Sequence, residues 1–215
     1  MKTEYVPFTE EMLREAGHLL AQRHACNRKK LPFLPKRFED LQVARKAVET
    51  LWKEKLKNGY AAFQNGSMVA YLLGERTTNP WGRDGYVYLP GYALADDQSP
   101  AILQDLYALL GNDWVKKGFF DHSLYISAAD QEVLSAFFDL GFGKQRVDAL
   151  MEFSTLEIPK VEEPSGITIC KAGTGDNAQL GSLSGVIFKA LAKPPYWHPT
   201  VPEVWDELYE GWSTV

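Results

Sequence analysis

Three side chains suited to moving a proton, Asp84, Asp121 and His122, fall near the ends of strand-prone runs. There a carboxylate or an imidazole can act as a general base. The same residues also read as solvated charges or as a hydrogen-bonded core histidine, so type and position leave both roles open. Tyr86, Tyr88 and Tyr92 alternate along one run and would share a strand face, suited either to core packing or to lining a pocket. Within that run Pro90-Gly91 interrupts any ladder, because proline has no N–H to donate. The interruption predicts a bulge, which would splay the strand and free a backbone N–H able to polarise a carbonyl, or else a plain bend.

Other constellations exclude more than they offer. His18 and His24 lie six residues apart on a predicted helix, on roughly opposite faces, so they do not form an i, i+4 chelating pair and no metal site is expected. Gly173-Thr174-Gly175-Asp176 lacks the length of a dinucleotide fingerprint and reads as a turn and N-cap. Cys26 and Cys170 are the only cysteines and are far apart, which argues against a disulfide framework or structural zinc and fits a reducing cytoplasm. Lys plus Arg is 23 and Asp plus Glu is 28, a formal charge of -5, so no nucleic-acid partner is expected. The basic cluster Arg28, Lys29, Lys30, Lys36 and Arg37 would attract an acidic ligand or simply be solvated. Acidic residues occupy the N-terminus where a signal peptide needs its apolar run, and no stretch is long and apolar enough for a membrane span.

The elements that must position these residues follow from periodicity. Tyr5 to Phe8 is strand-prone, and Thr9 with Glu10 and Glu11 suits a helix start carrying Met12, Leu13, Ala16, Leu19 and Leu20, a pattern that dissolves over Asn27 to Arg37. A second helix begins near Phe38, buries Leu41, Ala44, Val48, Leu51 and Trp52, and stops at Asn58-Gly59 in a left-handed turn. Asn65-Gly66 between β-prone runs predicts a hairpin. Beyond it come the Tyr86–Ala95 strand, a helix from Pro100 to Lys117, a strand from Phe120 to Ser127, a helix from Gln131 to Leu140 capped by Asp130, and a strand from Arg146 to Ser154. The order is βααβββαβαβ.

Residues 157–165 read as a linker, after which a strand at Ile167–Lys171, a helix at Asp176–Leu191 and a helix at Pro202–Trp212 repeat the opening of the chain. In both copies prolines and aromatics fill the link between helices, and Pro194 to Pro199 suits an interface. A strand and two helices cannot bury their own apolar faces, so residues 166–215 should dock on the first domain or pair two copies as a homodimer.

Leu124 to Phe142, LYISAADQEVLSAFFDLGF, resembles the GNAT N-acetyltransferase superfamily: an alternating apolar strand, Asp130 where that family carries asparagine, Phe137 at its aromatic position and a terminal Gly141-Phe142. Element order extends the resemblance over residues 5–154, and residues 166–215 resemble the opening of a second such unit. The resemblance implies an α/β (α+β) fold with a mixed central sheet flanked by helices, a GNAT-like domain over 1–156, and an incomplete second unit over 166–215. It implies acetyl-CoA as donor, a small-molecule or peptide amine as acceptor, and direct attack on the thioester. Leu94, Ala95, Gln98, Ser99, Ala101, Ile102, Asp130 and Phe137 are the implied cofactor contacts. Against the family pattern, Gln98 replaces an arginine, and Ser99, Ala101 and Leu103 replace glycines. Asp96 and Asp97 set negative charge beside the phosphate position, although a helix N-terminus there should still present unpaired N–H groups. Phe137 has no hydroxyl to protonate a leaving thiolate, where many members carry tyrosine. Two functions stay open: an N-acetyltransferase, or a non-catalytic GNAT-like binding or scaffold module with a degenerate cofactor site.

Overall fold

Asn65 and Gly66 adopt φ of 50° and 78°, the left-handed pair that a two-residue hairpin turn requires, and join β2 (Gly59–Gln64) to β3 (Ser67–Leu73). The computed structural model describes residues 2–55, 58–79, 82–151, 153, 157, 165–195, 197 and 209–211. β1 (Glu4–Pro7) pairs antiparallel with β2, and β6 (Tyr92–Leu94) pairs antiparallel with β3, giving a four-stranded sheet in the order β1-β2-β3-β6. A second sheet has the order β4 (Glu75–Asn79), β5 (Gly82–Val87), β7 (Asp121–Leu124). In it β5 and β7 run parallel, from Asp84 opposite Asp121 to Val87 opposite Leu124. The expected central sheet is therefore divided in two. The run from Tyr86 to Ala95 is cut by a 3-10 turn at Leu89–Gly91, and the chain changes sheets there. Proline supplies no ladder donor at this point, and a Cβ on Gly91 would lie 2.6 Å from the Leu73 carbonyl oxygen.

Helices cover both faces of the larger sheet. α1 (Leu13–Lys30) and α2 (Leu41–Thr50) bury Ala16, Leu20 and Val48 with Tyr71 and Leu73, while α3 (Ala101–Lys116) and α4 (Gln131–Asp139) bury Leu103, Leu106, Trp114 and Phe137 with Leu72 and Tyr92. From Ala70 to Leu73 successive β3 side chains thus enter opposite cores, as strand alternation demands. α1 begins after a 3-10 turn at Glu10–Met12 and continues past Asn27 to Lys30. α2 begins at Leu41 rather than near Phe38, because the Asp40 carboxylate accepts the Gln42 and Val43 N–H groups at 2.8 and 3.1 Å. It runs on into a π turn at Leu51–Lys55. Gly59 is not a left-handed stop: it opens β2 without positive φ, where a Cβ would stand 2.5 Å from the Leu72 carbonyl oxygen. Gly118 and Gly141, with φ of 80° and 91°, are the expected stops after α3 and α4.

The chain divides into two compact units, residues 1–77 with 83–152 and residues 78–82 with 153–215. Two expected strands do not form among the described residues. Residues 146–151 form no strand, with Val147 66% exposed, and neither do residues 167–171, with Ile169 78% exposed. Alternating apolar residues need a ladder neighbour before they make a strand, and neither segment has one. The helix expected from Asp176 to Leu191 is broken at Ser184-Gly185 into α5 (Asn177–Leu183) and α6 (Val186–Leu191). A 3-10 turn at Thr174–Asp176 leads into α5, as Glu10–Met12 leads into α1, and Gly173 N–H donates to the Asp176 carboxylate at 2.8 Å. Most of the expected linker at 157–165, and most of the helix expected at Pro202–Trp212, lie outside the described residues. No helix among the described residues is long and apolar enough to cross a membrane. Because a Cβ at position 59 would press on backbone only 2.5 Å away, Gly59→Ala should destabilise the protein by about 1–3 kcal/mol in a thermal melt. Gly173→Ala, which meets nothing within 4 Å, should stay within about 0.5 kcal/mol of wild type.

Candidate functional site

Beyond Val87 the strands part. Among the described residues the last link across them is Tyr125 N–H to the Val87 carbonyl at 2.9 Å, after which β6 pairs with β3 alone. Ala95 N–H donates to the Val69 carbonyl at 2.9 Å, which sets the phase of that pairing. Ala93 and Ala95 present their backbone groups to β3, whereas Tyr92 and Leu94 present theirs to the opposite, free edge. The break at Pro90-Gly91 is a 3-10 turn rather than a bulge, its Gly91 N–H donating to the Tyr88 carbonyl at 2.7 Å instead of standing free, and the chain changes sheets there.

The opening is bridged by α1. Arg23, only 8% exposed, donates from Nη1 to the Tyr92 carbonyl at 2.7 Å and from Nη2 to the Leu89 carbonyl at 3.1 Å. Its guanidinium carbon stands 3.9 Å from the Tyr92 ring centroid. The Tyr92 hydroxyl donates to Asp130 Oδ2 at 2.9 Å and accepts the Ser127 N–H at 3.1 Å, while Asn27 Nδ2 reaches the same Asp130 oxygen at 3.3 Å. One turn on, Lys30 Nζ donates to the Ala129 carbonyl at 3.1 Å. The Tyr71 hydroxyl takes the Pro90 carbonyl at 2.9 Å, and burial pushes the Tyr71 and Tyr92 hydroxyls well above the usual phenol range. Asp130 precedes α4 as expected, but its side chain makes no cap bond and serves this network instead. Arg23, Asn27 and Tyr92 were not apparent as a site in the sequence. The signal was there in the spacing: Ala16, Leu20, Arg23, Asn27 and Lys30 continue one helical face, its polar half hidden from an apolar count.

At the far end of β6 the expected open N–H groups are already bonded. Gln98 N–H donates to the Ala95 carbonyl at 3.0 Å, Ala101 N–H to Ser99 Oγ at 3.3 Å, Ile102 N–H to the Ser99 carbonyl at 3.1 Å, and Leu103 N–H to the Pro100 carbonyl at 2.9 Å. The Gln98 amide turns to Asp97 Oδ1 at 3.3 Å, and Asp96 accepts the Cys26 thiol at 2.8 Å, a bond that raises the thiol pKa. Ile102 and Phe137 are core residues, Phe137 packing edge-on against Phe142 at 5.5 Å. A pyrophosphate placed here would meet bonded donors and the carboxylates of Asp96 and Asp97, so these residues do not fit one.

The three proton-transfer candidates separate. His122 Nδ1 lies 2.6 Å from the Tyr107 hydroxyl and Nε2 lies 3.1 Å from the Phe119 carbonyl, with the ring edge-on to Trp114 at 4.9 Å. Both nitrogens are used, which makes it a hydrogen-bonded, half-buried histidine. Asp121 is exposed opposite Asp84. Asp84 is half-buried: Oδ2 accepts the Ser123 hydroxyl at 3.2 Å, Oδ1 is buried with no partner among the described residues, and burial pushes the carboxyl up to about 6. Tyr86 lies beside it in sequence alternation, tilted against Tyr88 at 4.7 Å and edge-on to Tyr125 at 5.6 Å, with the Arg146 guanidinium 5.3 Å from the Tyr125 ring. Tyr86 thus belongs to the small sheet, Tyr88 to the link that leads into the 3-10 turn, and Tyr92 to the large sheet.

The sequence matches no protein-family model and no curated protein. Among solved structures, a ribosomal-protein-alanine N-acetyltransferase from Brucella melitensis biovar Abortus 2308 aligns over 71% of this chain and 100% of its own, with a TM-score of 0.55 at 13% identity. A GCN5-related N-acetyltransferase from Ralstonia eutropha JMP134 aligns over 70% of this chain and 99% of its own, with a TM-score of 0.50 at 12% identity. A possible acetyltransferase from Clostridium difficile 630 aligns over 73% of this chain and 100% of its own, with a TM-score of 0.50 at 12% identity. At such identities the likeness is one of fold. The pH dependence of Asp84 follows from its own geometry. With a folded pKa of about 6 against an ordinary 3.8, the folded state holds the proton more tightly, so stability falls as pH rises from about 4 to 6 and stays lower above. Asp84→Asn should melt higher than wild type at pH 8, by about 1 kcal/mol after solvent screening, with the gain fading toward pH 4.

Proposed function

We propose, from the premise that this chain has the GNAT N-acetyltransferase fold, that its first unit keeps that fold without the activity, N-acetyl transfer from acetyl-CoA to a small-molecule or peptide amine. In this reading residues 1–156 act as a non-catalytic, GNAT-like binding or scaffold domain with a degenerate donor site. The observation that carries it is the start of α3, where the N–H groups of Gln98, Ala101, Ile102 and Leu103 are bonded within their own loop beside Asp96 and Asp97. Backbone donors already satisfied cannot cradle a pyrophosphate without first unwinding that turn. Phe137 is consistent with this, since a buried phenylalanine protonates nothing. Residues 166–215 open a second GNAT-like unit, supported by the 3-10 turn that leads into α5 as another leads into α1. The free thiols of Cys26 and Cys170 suit a cytoplasmic setting.

One observation favours a second reading, in which residues 1–156 are themselves catalytic. Asp84, with its carboxyl pushed up to about 6, would be a base matched to neutral pH and would take the proton of an attacking ammonium. Titrating acetyl-CoA into the full chain by calorimetry distinguishes the two. No heat up to millimolar donor is expected; micromolar binding that weakens on Ser99→Trp or Ala101→Trp would overturn the scaffold reading in favour of the catalytic one.

A further inference from the structure

The edge of β6 away from β3 carries backbone groups that an added strand or an extended ligand would ordinarily pair with. Tyr92 is the first residue whose backbone faces that way, and its carbonyl is taken by Arg23 at 2.7 Å. The other nitrogen of the same fork takes the Leu89 carbonyl at 3.1 Å, on the far side of the 3-10 turn, so one planar cation spans the break. The Tyr92 ring, 3.9 Å away, supplies the cation's third contact. No carboxylate among the described residues pairs with this buried charge, and its Nε is buried without a partner. A buried cation so placed is costly unless its surroundings are built for it, and here two carbonyls and a ring face are.

We infer that Arg23 is the resident ligand of the opening: a guanidinium carried on α1 that occupies the free edge of β6 and closes it to any extended ligand. Asn27 and Lys30, on the same helical face, hold the far side of the opening through Asp130 and the Ala129 carbonyl. The site therefore selects a planar, two-pronged cation, whether tethered or free, and an ammonium does not satisfy it. This deepens the scaffold reading above and rests on it only for what the edge would otherwise face.

The test is chemical rescue in the full chain. Arg23→Ala should lower the melting temperature by about 5–10 °C, through loss of two charge-assisted bonds to one buried and one part-buried carbonyl. Low-millimolar methylguanidinium should restore at least half of that loss, equimolar methylammonium should not, and wild type should respond to neither. Arg23→Lys, which keeps the charge but fills the slot with a single prong, should stay low with either additive. If Arg23→Ala does not fold, Arg23→Gln, able to donate to one carbonyl, is read for the same difference between additives. A variant that melts within about 1 °C of wild type, or equal recovery by both additives, overturns the inference. Acetyl-CoA binding by wild type in calorimetry would instead remove the scaffold reading and leave the rescue result standing.

Discussion

A strand that leaves one sheet for another abandons its carbonyls, and in a protein interior those carbonyls must be bonded. Here the abandoned groups are those of Leu89, Pro90 and Tyr92, and two side chains answer them: Arg23 with both prongs of its guanidinium, and Tyr71 with its hydroxyl. The rest of the first unit is arranged around that requirement. α1 must be long enough to bring Arg23, Asn27 and Lys30 over the break, and Tyr92 must lie flat enough to stack beneath the guanidinium while its hydroxyl reaches Asp130.

The two ends of β6 then differ in kind. Near Pro90 the sheet is open but held by side chains from α1. Near Pro100 the helix that could receive an anion is closed by its own loop, with Ser99 supplying both a hydroxyl and a carbonyl to α3's first N–H groups. Serine in place of glycine makes this closure natural, since its side chain competes for the donors that a phosphate would need. Asp84 sits apart from both, on the paired stretch of β5 and β7, where burial rather than a neighbouring charge dominates its titration.

Much of the architecture was legible because it is local. Asn65-Gly66 specifies a left-handed pair and hence a hairpin; Gly118 and Gly141 end helices by the same chemistry; Pro90-Gly91 forbids a continuous ladder. Other readings failed for want of a partner or a competitor. Val147 and Ile169 alternate as strand residues do, yet a strand exists only when another backbone lies alongside. Gly59 was assigned to a left-handed turn because glycine permits one, whereas the Leu72 carbonyl crowds the space its Cβ would take. Of the eight residues implied as donor contacts, Leu94 ends β6, Ala95, Gln98 and Ser99 lie in the loop after it, Ala101 and Ile102 open α3, Asp130 precedes α4 and Phe137 lies within it, and their bonding partners were not foreseeable.

What sequence alone determined is the first four helices, the hairpin and the place where the sheet must break, since turn geometry and side-chain periodicity are properties of neighbouring residues. Tertiary structure decided what fills the break and whether the helix N-terminus stays open. Those outcomes depend on which distant donors reach which orphaned acceptors: Arg23 lies 69 positions from Tyr92, and Asn27 lies 103 from Asp130. No local pattern encodes such pairings, because each is settled only when burial removes water as the alternative partner.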